Sequence, residues 1–156
     1  MKIGIVTWHR ATNYGAVLQA FALQTFLQQT GHEPYFIDHH YGIEPKGVRK
    51  YVGRSPKDTL ARWAGLKRQA VFDNFGRKFL VLSELPYCGE NDLVEHPPAA
   101  DAYICGSDQI WNPAFLKQAK DERAYWLDFG DRRVSRISYA TSLGVASLSE
   151  DWSRRY

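Results

Sequence analysis

Ile3-Gly4-Ile5-Val6-Thr7 is a short, mostly β-branched apolar run, the pattern of a buried strand. A polar stretch follows from Trp8 to Gly15, and then the period changes. Val17, Leu18, Phe21, Ala22, Phe26 and Leu27 recur at three- and four-residue spacing. Gln19, Gln24, Gln28 and Gln29 take polar positions between them, which predicts an amphipathic helix. Thr12 or Asn13 can cap its start, and Gly31 ends it. Pro34 opens a second strand, Tyr35-Phe36-Ile37, closed by Asp38-His39-His40. Strand, helix and strand in this order form a βαβ unit, which predicts a parallel pair joined by a right-handed crossover.

Gly42 to Arg54 reads as a loop. Ser55-Pro56-Lys57-Asp58 combines a capping serine, proline at the first helical position and an acid three residues after the cap. Leu60, Trp63, Ala64, Val71, Phe72, Phe75 and Phe79 carry that helix on, with interruptions expected near Gly65 and Gly76. Pro86, Gly89 and Pro97-Pro98 mark another loop region. Ala102 to Cys105 is the third strand, Tyr125 to Phe129 a short possible strand, and Ser135 to Ala140 a further one. Ser147-Leu148-Ser149-Glu150 fits a capping box and predicts a helix start. The expected organisation is one lobe over residues 1–146, with residues 147–156 as the first turns of a helix. So short a helix leads us to expect one half of a longer protein.

Composition sharpens this picture in three places. The apolar fraction of 44% is enough to build a core, and most of the aromatics, 14% of the chain, are expected inside it. Two cysteines, Cys88 and Cys105, do not make a disulfide scaffold, and Cys105 in its apolar strand reads as a buried thiol. The start lacks a signal-type apolar stretch, and no apolar run approaches the roughly 20 residues needed to span a bilayer, so a soluble, cytoplasmic chain is expected. Residues 46–78 carry ten Lys and Arg against Asp58 and Asp73. This is a local excess of eight, so with a net charge of +3 the remainder is acidic by five. Such a segment is a solvated helix face or a surface for an anionic partner: a membrane, nucleic acid or an acidic substrate.

In an open parallel sheet, ligands bind beyond the carboxyl ends of the strands, where the strand order reverses. His9, Asn13 and Gly15 follow the first strand, Gly106, Ser107 and Asp108 the third, and Ser142 and Gly144 the last. Parallel strands would bring these loops to one rim. Asp108 has two readings: a general acid or base, or a turn residue accepting backbone N–H groups with Trp111 packed beneath. His9 either exchanges a proton or meets a phosphate, or is a loop residue. Asp38, 23 residues after Gly15, could meet a ribose, but no G-x-G-x-x-G follows the first strand to support a dinucleotide site. Metal-ligand spacing, G-x-S-x-G and the P-loop pattern are all missing, so no metal and no cofactor is expected.

Several motifs, taken together, resemble one family. They are KIGIVTWHRATNYGAVLQAFALQ, YFIDHH, NFGRKFLVLSE, ADAYICGSDQIWNP, YWLDFG and RISYATSLG. In this order the chain, up to about Gly144, is similar to the N-terminal half of the polysaccharide pyruvyl transferases. The resemblance implies a transferase with an α/β fold: a Rossmann-like three-layer sandwich with a mainly parallel sheet, the first lobe of a GT-B-like two-lobed fold. It implies transfer of the pyruvyl group of phosphoenolpyruvate to a sugar of a surface polysaccharide or its lipid-linked precursor, giving a cyclic ketal. Donor-binding Arg and His would belong to the second lobe, so this chain would be the acceptor side and inactive alone. Asp108 would be the catalytic residue. Gly106, Ser107, Gln109, Trp111 and Asn112 would shape the acceptor cleft with His9, Asn13, Gly15, Ser142 and Gly144. The expected partners are phosphoenolpyruvate, a saccharide and, through residues 46–78, an anionic membrane at its inner face, but not nucleic acid. Two other readings stay open: a lobe of a sugar-nucleotide glycosyltransferase, and a non-catalytic module binding a glycan or an anionic surface.

Overall fold

A computed structural model describes residues 1–40, 51–88, 91–117 and 122–154 of the chain. Its centre is a sheet of β1 (Lys2–Val6), β2 (Glu33–Phe36), β3 (Ala102–Cys105) and β4 (Ser135–Ser138), all parallel and ordered β2-β1-β3-β4. In register, Ile3 faces Ala102 and Pro34, and Cys105 pairs with Val6 and Ser138. Beyond β2, Leu82 and Tyr87 form isolated parallel bridges to Phe36 and His39.

Alternation along the strands divides the core into two layers. Ile3, Ile5, Phe36 and Ile104 lie on one face with Ala20, Leu23 and Leu27 of α1 (Tyr14–Gln29) and with Leu80, which follows α2 (Pro56–Phe79). Val6, Tyr35, Ile37, Tyr103 and Cys105 lie on the other. That face is covered by four short helices: α3 (Asp92–Glu95), α4 (Pro113–Leu116), α5 (Arg123–Trp126) and α6 (Glu150–Ser153). They contribute Leu93, Leu116, Tyr125 and Trp152. The result is the three-layer, Rossmann-like α/β sandwich that the alternating strand and helix patterns predict.

The helix ends follow local chemistry. Of the two candidate caps for α1, Asn13 takes the role: its Oδ1 accepts from Ala16 N at 3.3 Å. Gly31, in the left-handed region at φ 82°, lets the chain turn away. Ser55 caps α2 through Asp58 N.

Several sequence expectations are corrected. α2 runs unbroken through Gly65 and Gly76, because an interior glycine weakens a helix by about 1 kcal/mol without removing its hydrogen bonds. Residues 125–129 are not a strand. Tyr125 and Trp126 close a helical turn, and Leu127, at φ 55°, ends it in the left-handed region. β4 stops at Ser138 rather than Ala140, whose φ of 50° is incompatible with a strand. α6 begins at Glu150 with Ser149, not Ser147, at its cap position. Leu18 and Phe26 of α1 point outward. Residues 42–50 of the loop expected before α2, and Gly89 of the later loop region, lie outside the described residues.

Cys105 is buried and reduced, as expected. Its Sγ lies 3.2 Å from Tyr125 O, and burial pushes the thiol up to about 12. No helix among the described residues is long and apolar enough to cross a membrane.

Candidate functional site

The strand order sets the position of the site. From β1 the chain crosses to β2 on one side, and later returns to β3 on the other. The crevice beyond the carboxyl ends of β1 and β3 is therefore the switch point of the sheet. Its base is tied shut. Gly106 N donates to Val6 O at 2.8 Å, Thr7 Oγ1 to Ser107 O at 3.3 Å, and Gln19 Nε2 of α1 to Thr7 Oγ1 at 2.9 Å. A side chain at position 106 would press on Thr7 Cβ at 3.3 Å and Leu23 Cδ2 at 3.4 Å, so the close approach of loop and helix requires glycine there.

Above this base a cavity of about 310 Å³ is lined by Trp8, Ala11, Asn13, Ala16, Asp108, Gln109 and Phe115. Trp8 is buried, with its ring tilted by 36° against Tyr125 at 4.6 Å and edge-on to Phe115 at 6.2 Å. Two aromatic walls thus meet a carboxylate and two amides.

Asp108 has a backbone that an L residue rarely adopts. Its φ is 120°, a conformation that costs on the order of 1–3 kcal/mol for a residue other than glycine. Neighbouring loops hold it there: Ser142 N donates to Asp108 O at 2.9 Å, and Trp111 N to Ser142 O at 3.2 Å. One carboxylate oxygen accepts from Gln109 N at 2.7 Å, while the other has no partner among the described residues. Both readings of Asp108 therefore keep a basis in the geometry: it caps its own turn, and it lines the cavity with one carboxylate oxygen left without a protein partner among the described residues.

The other sequence-derived candidates divide by what their polar atoms do. Asn112 is buried and caps α4 through Ala114 N at 2.9 Å, with Nδ2 donating to Gln109 Oε1 at 2.9 Å. Trp111 donates from Nε1 to Tyr125 O and stacks on Trp126 at 5.4 Å, so its ring is packed against the fold. Together with Thr141, Ser142, Leu143, Gly144 and Val145 it lines a second recess of about 630 Å³. Gly15 lies in the exposed first turn of α1, and Ser107 is half-buried at the base of the crevice.

Gly144 sits at φ 62°, and a Cβ there would meet the Gln109 side chain at 2.2 Å. Gly144→Ala is expected to cost about 1 kcal/mol of backbone strain and to expel Gln109 from its bond to Asn112. A thermal melt lowered by a few degrees, with chemical-shift changes at Asn112 and Gln109, would show it.

His9 does not line the cavity. It is buried beside it, with Nδ1 at 3.1 Å from Thr7 O and Nε2 at 3.2 Å from Asp38 Oδ1. The same carboxylate takes both Nε and Nη2 of Arg10, at 2.5 and 2.6 Å, and His40 Nε2 stands 3.5 Å away. Burial works to raise the Asp38 carboxyl. The hydrogen bonds from His9 and Arg10, with their charges, outweigh it and hold the group well below the usual carboxylate range. Asp38 is thus committed to protein partners rather than to a ribose. This cluster joins the loop after β1 to the end of β2.

Sequence reasoning missed Thr7 and Gln19, which close the crevice, and the pairing of Trp8 with Phe115. Nothing in the local pattern marks residues more than a hundred positions apart as the two walls of one cavity. The adjacent hydroxyl and glycine at the ends of β1 and β3 are the nearest thing to a signal.

The model of one family, polysaccharide pyruvyl transferase, matches residues 13–156. The chain belongs to that family. The match leaves out β1 and the first residues after it, and takes in α1, the other loops of the crevice and the described fold from there on. Membership of the pyruvyl transferases supports a general role in pyruvyl transfer, with a pyruvyl donor and a saccharide acceptor. No curated protein and no solved structure matches the chain.

Proposed function

We propose that this chain is the acceptor-side lobe of a pyruvyl transferase that moves the pyruvyl group of phosphoenolpyruvate onto a sugar, free or lipid-linked, of a surface polysaccharide. The observation that carries this reading is Asp108. It is a strained residue with one unpartnered carboxylate oxygen, in an aromatic-walled cavity at the switch point of a chain belonging to this family.

Protonation of the methylene carbon of the donor leaves its central carbon electron-poor. One sugar hydroxyl attacks that carbon and gives its proton to Asp108. A second hydroxyl closes the ring as phosphate leaves, its proton going to the departing phosphate, giving the cyclic ketal. Asp108 acts as general base, positioned by its bond from Gln109 N. Trp8 and Phe115 exclude water, and Asn13 and Gln109 supply amides to the acceptor. Ser107, Trp111, Asn112, Ser142, Gly144, Gly106 and Gly15 shape the surrounding loops. His9 and Arg10 position the loop after β1 through Asp38.

The donor phosphate and carboxylate require cations, best supplied as bidentate Arg. Arg10 already has both carboxylate oxygens of Asp38, and the cavity lining holds no Arg or Lys. This supports a division of labour in which a second, GT-B-like lobe holds the donor and the chain alone is inactive.

The test is a calorimetric titration of phosphoenolpyruvate into this chain. Absence of heat is expected. Saturable binding lost on Asp108→Asn would place the donor here and overturn the division between lobes. An assay of the two-lobed enzyme for phosphate release and an acid-labile ketal tests the reaction itself.

A further inference from the structure

α2 is the longest helix among the described residues, and of its side chains only Phe72 is buried. The second half meets α1 through Phe72, Phe75 and Phe79, which contact Tyr14 and Phe21. Among the described residues, no aromatic contact of this kind involves the first half. At 100° per residue, Leu60, Trp63 and, in the second half, Val71 project about 120°, 180° and 100° away from Phe72. They are 73%, 53% and 57% exposed. An apolar stripe facing outward is the reverse of what folding requires of a surface helix.

The segment before the helix completes this surface. Gly53 N donates to Thr59 Oγ1 at 3.0 Å, and Trp63 Nε1 to Tyr51 O at 3.0 Å, folding residues 51–55 back on the first turns. Tyr51 and Val52, each about half exposed, thereby join Leu60 and Trp63 in one patch. The Trp63 indole N–H is already bonded, so the ring can leave water without stranding a donor.

Cations surround and enter the patch. Arg54, Lys57, Lys67 and Arg68 are exposed, and none makes an ion pair with the described residues. Lys67 falls on the apolar side itself, between Trp63 and Leu60 in angle. A protein partner would have to bury that ammonium, and lysine is depleted from interface cores. A lipid surface would not, because the lysine stem can lie along the apolar stripe while its head reaches a phosphate. Tyr and Trp at the boundary complete the match to a headgroup layer.

We propose that the first half of α2, with residues 51–55, is a docking surface for an anionic membrane. Leu60, Trp63, Tyr51 and Val52 enter the headgroup region, and Arg54, Lys57, Lys67 and Arg68 meet lipid phosphates. This narrows the basic segment of residues 46–78 to one preorganised patch, and it is independent of the pyruvyl-transfer reading.

The experiment is flotation of the full chain with vesicles of phosphatidylcholine containing about one-third phosphatidylglycerol, beside vesicles of phosphatidylcholine alone. Binding to the anionic vesicles is expected, weakening as salt rises. Lys57→Gln with Lys67→Gln should weaken it roughly 25-fold, since each surface cation contributes about fivefold. Leu60→Asp, at an exposed position that leaves the circular dichroism unchanged, should abolish it. No binding, or binding indifferent to Leu60→Asp, would overturn the proposal. So would a self-associated chain in ultracentrifugation that Leu60→Asp dissociates, since the patch would then belong to a second copy. None of these outcomes bears on the ketal assay.

Discussion

Asp108→Asn is expected to lower pyruvyl transfer by the proposed two-lobed enzyme by about 10²–10⁴-fold, the usual worth of a positioned general base. The loss should appear in kcat, with acceptor affinity nearly unchanged, because the amide keeps the size and the bond from Gln109 N while losing basicity. Asp108→Gly should be equally inactive yet more stable. Glycine adopts φ 120° without penalty, and the Gln109 N–H it leaves is exposed to water. A gain of about 1 kcal/mol, or a few degrees in Tm, is expected. Stability and activity moving in opposite directions at one residue is the signature of strain held for function. If Asp108→Asn transfers pyruvate at the wild-type rate, the residue is a turn cap only.

The second large effect is expected at Asp38. Its side chain is 9% exposed and holds Arg10, His9 and His40 around it. Asp38→Asn leaves Arg10 facing a neutral amide. Removing one partner of a buried pair costs about 3–5 kcal/mol; with Arg10 35% exposed, about 2–4 kcal/mol is expected here, a Tm lower by on the order of 10 °C. The effect carries a pH signature. The folded carboxyl titrates below its ordinary 3.8, so its stabilisation is present above that value and is lost as pH falls toward the folded one. The gap between wild type and variant should therefore hold at about pH 5 and narrow steadily below about pH 4. A gap that widens on acidification would mean that Asp38 is not held ionised by its neighbours.

How much of this was legible beforehand varies element by element. The βαβ unit followed from a change of period between Val6 and Val17, since a strand and a helix need different spacings to bury one face. The rim of three loops followed from that parallel arrangement together with the glycines and polar residues at the strand ends. Individual roles did not follow. For His9 and Asp38 the sequence offered a ligand-binding reading beside a plain loop or cap reading, and nothing local showed that they meet one another across 29 positions. Asn13 was legible as a cap candidate for α1, whereas the capping of α4 by Asn112 was not, because a cap and a substrate amide use the same side-chain atoms.

The sequence by itself determined the class of fold, the family, and the stretch from Gly106 to Asn112 as the place to look. Each rests on patterns local in the chain, and local physics is enough to read periods, caps and motifs. Only the tertiary structure decided that Trp8 and Phe115 enclose a cavity with Asp108, that Asp38 serves Arg10 rather than a ligand, and that the apolar side of α2 near Trp63 faces outward. Those facts depend on which faces meet after the sheet has assembled. A pattern of spacing shows that a stripe exists but leaves open what it will face.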